Sequence, residues 1–349
     1  MEEDSIFWKN EPVGNKTTKK EKNLIELPEG YQIKPFNRLA HTKEVTELIK
    51  NNYKDKTNAY ISLEYSSDFI EWYFDNQCDL KYCLVLYYQN ILIGFISGNE
   101  ICLSVNKKNE RVLGVNFLCI DIDYRNKLLA PLLISHLTHL ANKHYILSAV
   151  FTGGRSFPFS FIKATYFHRP INPSRLIKAK YLCAYEEPHI RKSKILRIAN
   201  KEDIKDILYL YNKANENMKV YEVLSLERAE KSFLPVDNAV ITFVVENNSK
   251  VTEYISYFYI YTYLSYSNTH IKAAYLHSWS SSNIRTLLDD SFLILKDLNV
   301  DVVNCLNIGN NLPFVHNSDF LEGSGDLNYY FYNYSAGEFK KEEISFVMY

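Results

Sequence analysis

The segment that most constrains the fold is VNFLCIDIDYRNKLLAP, residues 115–131, where an apolar run gives way to a basic turn and then to an amphipathic run. Residues 115–120 are apolar apart from one asparagine and predict a buried strand. Residues 128–140 repeat apolar side chains with helical spacing, and Pro131 suits the first turn of a helix, where a missing N–H costs little. The segment therefore predicts a strand, a short polar turn and a helix in direct succession.

The turn in this segment, Arg125, Asn126 and Lys127, has the composition of an anion-binding site. Free N–H groups and the positive dipole end at a helix start attract anions, and two basic side chains add charge. A strand, a basic turn and a helix also occur together in many α/β domains for structural reasons alone. Both interpretations stay open on this motif by itself.

A second unusual segment, residues 151–181, reads FTGGRSFPFSFIKATYFHRPINPSRLIKAKY and follows an apolar strand at 146–151. Its core, TYFHRPINP, places Tyr166, His168 and Arg169 beside an Asn-Pro turn. A histidine among aromatic residues is more often a satisfied core residue than a functional one. A functional interpretation of His168 therefore depends on the whole segment.

Together, NFLCIDIDYRNKLLAP and TYFHRPINPSRLIKAKY resemble the two signature regions of the N-myristoyltransferases (glycylpeptide N-tetradecanoyltransferases). In that family they read roughly NFLC, a short spacer, RSKRVAP, and then YWHRSLNPRKLIEVKF. Further similar segments follow in the family's order: IFWKNEPV, LPEGY, EYSSDFIEW, ILIGFISG, ITFVVEN, KAAY and GSGDLNYYFYNY. The resemblance spans nearly the whole chain. The chain resembles a short, divergent member of the family that starts almost at IFWKNEP. The family often carries a basic N-terminal extension before this point, and we expect no ribosome targeting through such an extension here.

The resemblance implies a mixed α/β (α+β) fold: a duplicated GNAT-like acyl-CoA N-acyltransferase with a saddle-shaped mixed sheet and pseudo-twofold halves. We expect residues 1–190 to form the half that binds myristoyl-CoA, and residues 191–349 the half that binds peptide and carries the C-terminal carboxylate. Periodicity predicts helices at 42–51, 67–74, 131–143, 201–215, 225–233 and 283–298. It predicts strands at 82–88, 91–97, 112–120, 146–151, 240–246, 251–261 and 328–334.

Composition excludes several classes of protein. The 349 residues are 46% hydrophobic and 15% aromatic, which indicates a globular core rather than disorder. A net charge of −1 argues against a nucleic-acid-binding body. No apolar run has the length of a membrane span, and no secretory signal opens the chain. Six scattered cysteines without a CxxC pair indicate reduced thiols, and we expect a cytoplasmic monomer.

The implied reaction transfers myristate from myristoyl-CoA, the acyl donor, to the α-amine of an N-terminal glycine on a protein or peptide, without a metal. Coenzyme A contacts are implied for Phe7, Trp8, Leu118, Cys119, Ile120, Arg125, Asn126, Lys127, Leu128, Leu129 and Ala130. The family's second arginine in RSKR is Leu128 here, so one cation is lost and we expect greater reliance on helix N–H groups. Phe7 and Trp8 are equally consistent with a hydrophobic tether of the N-terminus.

The resemblance also implies the catalytic groups. The backbone N–H groups of Phe117 and Leu118 would stabilise the oxyanion, which requires a local bulge in their strand. The terminal carboxylate of Tyr349 would act as the base, and Asn116 and Thr152 would help place the amine. The apolar tail before Tyr349 is suited to an inward position, although an ordinary closing strand explains it as well.

The implied peptide groove is lined by Tyr53, Tyr166, His168, Tyr275, Ser324 and Gly325. Here the chain departs from the family: its acidic VEDDD loop reads KDKTN at 54–58, and an aspartate of its GDGNL motif is Ser324. Losing carboxylates and gaining lysines should weaken or reverse a preference for basic substrate residues.

Two other functions remain open. A GNAT-type acyltransferase could use another acyl donor or a lysine acceptor. A degenerate acyl-CoA or myristoyl-peptide binding protein is suggested by Leu128, Ser324 and the altered loop, whereas retained Asn116, Thr152 and His168 count against it.

Overall fold

The computed structural model describes residues 11–15, 25–53, 60–154, 156–157, 159–186 and 195–349, together with positions 188, 190 and 192. Phe7, Trp8 and the loop at 54–58 lie outside these residues. The helices are α1 Arg38–Asn52, α2 Ser67–Asn76, α3 Leu129–Lys143, α4 Pro173–Lys178, α5 Ile204–Asn215, α6 Leu226–Phe233, α7 Ile284–Asp297 and α8 Leu312–Val315.

The strands are β1 Tyr31–Pro35, β2 Ile61–Glu64, β3 Leu84–Tyr88, β4 Ile91–Val105, β5 Lys108–Ile120, β6 Ala149–Gly153, β7 Ile162–Pro170, β8 Leu196–Ile198, β9 Val220–Glu222, β10 Val240–Asn247, β11 Lys250–Leu264, β12 Thr269–Ser280, β13 Val302–Leu306 and β14 Leu321–Tyr332. They form one mixed sheet in the order β1-β3-β4-β5-β6-β14-β7-β13-β12-β11-β10-β8, with β2 added to β11 and β9 added to β4. Within the described residues only the β5–β6 and β12–β13 pairs are parallel.

The sheet order shows a duplicated fold with exchanged strands. In each half, three antiparallel strands are followed by a crossover helix and a parallel strand: β3-β4-β5, α3 and β6, and then β10-β11-β12, α7 and β13. The next strand in each half comes from the other part of the chain, because β14 pairs with β6 and β7 pairs with β13. The expected mixed α/β fold with two related halves is therefore confirmed. Each half of the sheet is completed by one strand from the other half of the chain.

Local sequence explains many of the turns and helix starts. The β3–β4, β4–β5 and β10–β11 hairpins turn at pairs of residues that all have positive φ: Gln89 and Asn90, Asn106 and Lys107, Asn248 and Ser249. Such pairs match the twist of the flanking strands, and asparagine tolerates the left-handed region well. Asn37, Ser66, Ser225 and Asn283 cap α1, α2, α6 and α7 through side-chain oxygens.

Several boundaries differ from the sequence-based prediction. Helix α1 starts at Arg38 because Asn37 caps it, and the predicted helix at 201–215 begins with a separate 3₁₀ turn, Lys201–Asp203. Strand β6 starts at Ala149 rather than at 146. The predicted ranges do not include strands β1, β2, β7, β8, β9, β12 and β13 or helices α4 and α8. β7 carries Lys163, His168 and Arg169 within its span, which hides its period-2 pattern, and β13 is only five residues long.

Candidate active site

The centre of the site is a bulge in β5. Phe95 pairs with Cys119 and Ser97 pairs with Asn116, so Phe117 and Leu118 together face a single residue of β4. Phe117 has a φ of 48°, a left-handed conformation that is uncommon for a bulky residue. The bulge implied for this strand is therefore present, and it lies at the two residues expected to supply oxyanion donors.

The bulge coincides with the point where two parallel strands part. The β5–β6 register runs from Leu113 and Ala149 to Val115 and Phe151 and then stops. Asn116 and Thr152 are the next residues on the two strands, and β6 continues beside β14 instead. The sheet therefore opens at the residues predicted to place the reacting amine.

Asn116 connects the bulge to the end of the chain. Its Nδ2 donates to a terminal carboxylate oxygen of Tyr349 at 2.5 Å, and its Oδ1 accepts from the N–H of Phe117 at 3.0 Å. Its backbone carbonyl accepts from the hydroxyl of Ser97 at 2.9 Å, and that hydroxyl is paired with Tyr73 at 2.9 Å. Asn116 is thus fixed on three sides, between the proposed base and a proposed oxyanion donor.

The C-terminal tail is drawn into the protein. Ile344 and Phe346 are buried in the core, and only an isolated bridge joins Ile344 to Val220. From residue 345 onward the tail belongs to no strand, so the alternative of an ordinary closing strand is wrong. The tail ends with the Tyr349 ring held edge-on against Trp72 at 4.9 Å and Phe258 at 5.2 Å.

The far end of the Tyr349 side chain is also held. Its hydroxyl lies 3.2 Å from Nε2 of His277 and is hydrogen bonded to Ser232. Burial raises the pKa of the phenol well above its usual value. Burial and the nearby Arg228 cation lower the pKa of His277 to about 3, so this imidazole is neutral at physiological pH.

An ion pair lies behind the tail. Nε of Arg228 is 2.8 Å from a carboxylate oxygen of Glu222, and an Arg228 N–H also donates to the carbonyl of Asn76. Both side chains border a cavity of about 30 Å³, together with Asn116 and Tyr349. The charges nearest the terminal residue are therefore a matched pair rather than a lone cation.

The start of α3 combines exposed backbone donors with unusual dihedral angles. Asn126 and Leu128 both have positive φ, and no side chain caps the helix. No acceptor is recorded within the described residues for the N–H groups of Leu129 and Ala130. A helix start without internal partners is suited to an anion.

The two basic side chains of this turn, Arg125 and Lys127, both contact the protein itself. Nε of Arg125 donates to the carbonyl of Ile120 at 3.0 Å and its Nη2 donates to that of Asn52 at 2.8 Å. Arg125 therefore ties the end of β5 to α1. The Lys127 ammonium lies over the Tyr124 ring at 4.9 Å, and Leu128 is exposed.

The β5 residues predicted to contact coenzyme A differ in their burial. Cys119 and Ile120 are buried, and the Cys119 thiol donates to the carbonyl of Leu48. Burial raises the pKa of this thiol to about 12, which makes it a poor nucleophile. Leu118 is half-buried, and its carbonyl accepts from the Tyr53 hydroxyl at 3.4 Å.

Three of the predicted peptide residues, Tyr166, His168 and Tyr275, lie near one another on β7 and β12, whereas Tyr53 lies beside Leu118. Tyr166 packs edge-on against Tyr275 at 5.9 Å. Asn304, on β13, accepts from Nδ1 of His168 at 2.7 Å and is hydrogen bonded to the Tyr275 hydroxyl. Burial lowers the pKa of His168, although the hydrogen bond with Asn304 opposes this shift. Because Nδ1 carries the hydrogen, Nε2 carries the lone pair and can accept a hydrogen bond.

A glycine loop lies against this histidine. In the β14–β7 pair, Glu322 faces Phe167 and Asp326 faces Thr165, so residues 323–325 loop out opposite one residue. A Cβ built on Gly323 would lie 2.2 Å from Nε2 of His168, so glycine is required there. Ser324 and Gly325 are exposed on the loop.

Sequence reasoning missed four residues that shape the site: Gly323, Asn304, Ser97 and His277. Gly323 had a detectable signal, since a GSG triplet just before the strand predicted at 328–334 indicates a bulge or a close approach of the backbone. The other three had none, because each acts through a partner far away in the chain.

The chain matches both domains of one protein family over most of its length. Residues 12–164 match "Myristoyl-CoA:protein N-myristoyltransferase, N-terminal domain", and residues 169–346 match the C-terminal domain of the same description. The chain belongs to the N-myristoyltransferase family. As a member, it is an acyltransferase enzyme, and the resemblance found in its signature segments is confirmed.

Named relatives agree with this membership. The glycylpeptide N-tetradecanoyltransferase of Plasmodium falciparum is 28% identical over 362 residues, covering 97% of this chain and 88% of its own. That of Candida albicans is 28% identical, covering 95% and 85%. This N-myristoyltransferase therefore differs from each of the two relatives at nearly three of every four aligned residues.

Solved structures support the fold. A Saccharomyces cerevisiae N-myristoyltransferase with bound myristoyl-CoA superimposes with a TM-score of 0.89 at 21% identity, covering 99% of this chain and 95% of that one. A GCN5-related N-acetyltransferase from Anabaena variabilis gives a TM-score of 0.52 at 10% identity, covering 86% and 72%. The GNAT-like fold expected for an N-myristoyltransferase is therefore confirmed.

The described part of the chain contains neither a metal-binding cluster nor a membrane-spanning helix. No group of three or more histidine, cysteine, aspartate or glutamate side chains there could hold a metal ion. No helix within those residues is long and apolar enough to cross a membrane.

Proposed function

We propose that this N-myristoyltransferase transfers myristate from myristoyl-CoA to the α-amine of an N-terminal glycine, with the Tyr349 carboxylate as base. The observation that carries this proposal is the 2.5 Å contact between Asn116 and the terminal carboxylate, one residue from the β5 bulge. Few other functions require a chain end to be buried beside a strained strand.

In the proposed reaction the glycine amine first loses a proton to the Tyr349 carboxylate. An α-amine has a reference pKa of about 7.7 to 8.0, so a modest preference for the neutral form suffices. The amine nitrogen then bonds to the thioester carbon, and the carbonyl electron pair moves to oxygen. When the oxyanion collapses, the C–S bond breaks and the sulfur leaves with its electron pair. The nitrogen loses its second proton as the amide forms, and the sulfur takes up that proton to become the coenzyme A thiol.

The bulge would stabilise the oxyanion through the N–H groups of Phe117 and Leu118. In the structure the Phe117 N–H is bonded to Asn116 Oδ1, so the substrate oxygen must replace or share that acceptor. Asn116 would then keep its Nδ2 on the carboxylate and offer Oδ1 to the incoming amine. Removing one such oxyanion donor typically lowers kcat by about 10²- to 10³-fold.

The start of α3 would hold the phosphates of coenzyme A. The N–H groups of Leu129 and Ala130 and the Lys127 ammonium supply positive charge there, while Arg125 braces the turn from inside. Phe7 and Trp8 stay predictions as a cover over the donor, because they lie outside the described residues. The cytoplasmic location, the monomeric state and the domain boundary near residue 190 also stay predictions.

The test measures coenzyme A release from myristoyl-CoA with a Gly-Asn-Ala-Ala-Ala-Ser-type peptide, for the full chain and for a variant lacking Tyr349. We expect turnover with the full chain and collapse without Tyr349, while myristoyl-CoA binding is retained. Turnover that survives the deletion would exclude the terminal carboxylate as base. Tight myristoyl-CoA binding with no turnover in either protein would favour the binding-protein alternative.

A parallel assay separates the acceptor classes. An N-acetylated peptide with an internal lysine offers a side-chain amine but no glycine α-amine. We expect no turnover with it. Efficient transfer to this lysine would replace the proposed acceptor with the second enzyme alternative.

A further inference from the structure

We propose that His277 is a positioning residue for the reaction: through the Tyr349 phenol it sets the direction of the terminal carboxylate. This inference rests on the proposed function of that carboxylate. It concerns a side chain on β12 whose ring contacts Tyr349 and Phe233.

A terminal residue is poorly constrained by its own backbone. A carboxylate at the end of a chain can rotate and shift unless the side chain of its residue is held. A single hydrogen bond from Asn116 fixes one oxygen but not the plane of the group. A base must lie within about 2.6–3.2 Å of the proton that it takes, so a loosely held carboxylate would often miss it.

The Tyr349 ring is enclosed by rings from three elements. Trp72 of α2 lies 4.9 Å away, Phe258 of β11 5.2 Å and His277 of β12 5.0 Å between ring centroids. Ring-to-ring contacts of this kind have little directionality, so they do not by themselves fix the position of the Tyr349 ring along its Cγ–Oη direction. The polar contacts at the hydroxyl oppose movement along that direction, because hydrogen bonds are directional.

The hydroxyl meets Nε2 of His277 at 3.2 Å and is also bonded to the buried Ser232. The two ends of Tyr349 are therefore fixed on opposite halves of the protein. The carboxylate is bonded to Asn116 on β5, and the phenol is bonded to His277 on β12. The distance between those two strands is set by the sheet, so the tyrosine acts as a spacer of fixed length.

The environment of His277 supports a polar role rather than simple packing. Its Nδ1 is shielded from solvent and has no hydrogen-bond partner within the described protein atoms. A cavity of about 30 Å³ adjoins His277 and is also lined by Asn215, Asn311 and Ser345. A polar cavity of this size is large enough for one water molecule. With its hydrogen on Nδ1, the neutral imidazole would present Nε2 as the acceptor for the phenol hydroxyl.

The test compares four variants of the full chain: His277→Leu, His277→Gln, Tyr349→Phe and the His277→Leu/Tyr349→Phe double. Tyr349→Phe keeps the ring and the terminal carboxylate and removes only the hydroxyl. His277→Gln keeps a polar atom near the position of Nε2. Tyr257→Phe is the matched control, since it removes a buried hydroxyl that bonds to Ser291, away from the tail.

We expect His277→Leu and Tyr349→Phe each to lower kcat about three- to tenfold, the rate equivalent of one ordinary hydrogen bond. The KM for myristoyl-CoA should not change. The double variant should be no slower than the slower single variant, because Tyr349→Phe already removes the hydroxyl that His277 contacts. His277→Gln should recover most of the activity. Tyr257→Phe should lower Tm without lowering kcat.

The proposal is overturned if both single variants keep the kcat of the unchanged protein, or if their effects multiply in the double variant. Deletion of Tyr349 is measured beside them. If that deletion abolishes turnover and the single variants do not matter, only the role of His277 falls. If the deletion has no effect, the terminal base and the positioning role fall together.

Discussion

Asn116 and Tyr349 are 233 positions apart in the chain, and a hydrogen bond of 2.5 Å joins the amide of one to the terminal carboxylate of the other. The same amide accepts from the Phe117 N–H within the bulge. Asn116 therefore links the proposed base to a proposed oxyanion donor. A residue added after Tyr349 would convert the carboxylate into a neutral peptide group and force the new end into a packed interior.

Extending the chain by Gly-Ser after Tyr349 should lower kcat by about 10²-fold or more, the contribution typical of a general base. Binding of myristoyl-CoA should persist, because the helix start that we assign to its phosphates lies elsewhere. Steady-state kinetics and a myristoyl-CoA titration check both parts. Full activity of the extended protein would contradict the assignment of the base.

Asn116→Asp should impair the base in a different way. The new carboxylate would face the Tyr349 carboxylate, and like charges at this distance raise the pKa of one of them. We expect a lower kcat and an acid limb of the pH–rate profile that moves to higher pH, since the base stays protonated longer. Asn116→Ala removes the donor without adding charge, so its acid limb should move less. Identical profiles for the two variants would exclude this electrostatic account.

Gly323→Ala tests the contact between the glycine loop and His168. A Cβ there would lie 2.2 Å from Nε2 of His168, so either the loop or the imidazole must move. We expect a raised KM for the peptide and an unchanged KM for myristoyl-CoA. Gly154→Ala is the matched control, because its Cβ would come no closer than 3.8 Å to a neighbouring atom. Equal peptide KM values for the two variants would show that the loop does not shape the groove.

Ser324→Asp should change substrate choice. Ser324 is exposed on the loop beside His168, and a carboxylate there would attract a cationic substrate side chain through partly screened charge. We expect kcat/KM to rise for a lysine-containing peptide relative to a neutral one, and the gain to shrink as salt is added. Ser324→Asn has the same shape without charge and should show no such gain. An undiminished lysine preference in the unchanged protein would contradict the predicted loss of that preference.

The parts of the fold that could be predicted from sequence are those fixed by neighbouring residues. Hairpin turns such as Gln89-Asn90 and caps such as Ser66 act over a few positions, so the predicted ranges of α2 and β10 lie close to those in the structure. Strand β13, VVNCL, could not be assigned, because a short apolar run has no period of its own. Its strand character comes from pairing with β12 and β7, which lie elsewhere in the sequence.

The same limit applies to the site. The β5 bulge was expected only through the resemblance of NFLC to the family, since backbone donors leave no side-chain signature. The Asn304 contact that orients His168 and the His277 contact that holds Tyr349 join residues 136 and 72 positions apart. Such pairs are fixed by sheet register and by burial, which a single sequence does not display.

The pH dependence of stability provides a last prediction, which concerns His277. Its pKa falls from an unfolded value near 6.5 to about 3 in the folded protein, chiefly because burial disfavours the charged ring. Above pH 6.5 both states hold the neutral ring, and there is no effect. Between pH 6.5 and about 3 only the unfolded chain takes up the proton, so acidification destabilises the folded state. The upper limit of this slope is about 1.4 kcal/mol per pH unit.

The His277→Gln variant tests this dependence, because glutamine does not titrate. The free energy of unfolding of the unchanged protein, minus that of His277→Gln, should decrease steadily as the pH falls from 7 to 5. Denaturant titrations at several pH values measure this difference, and a constant difference would show that His277 is protonated as readily in the folded protein as in the unfolded chain.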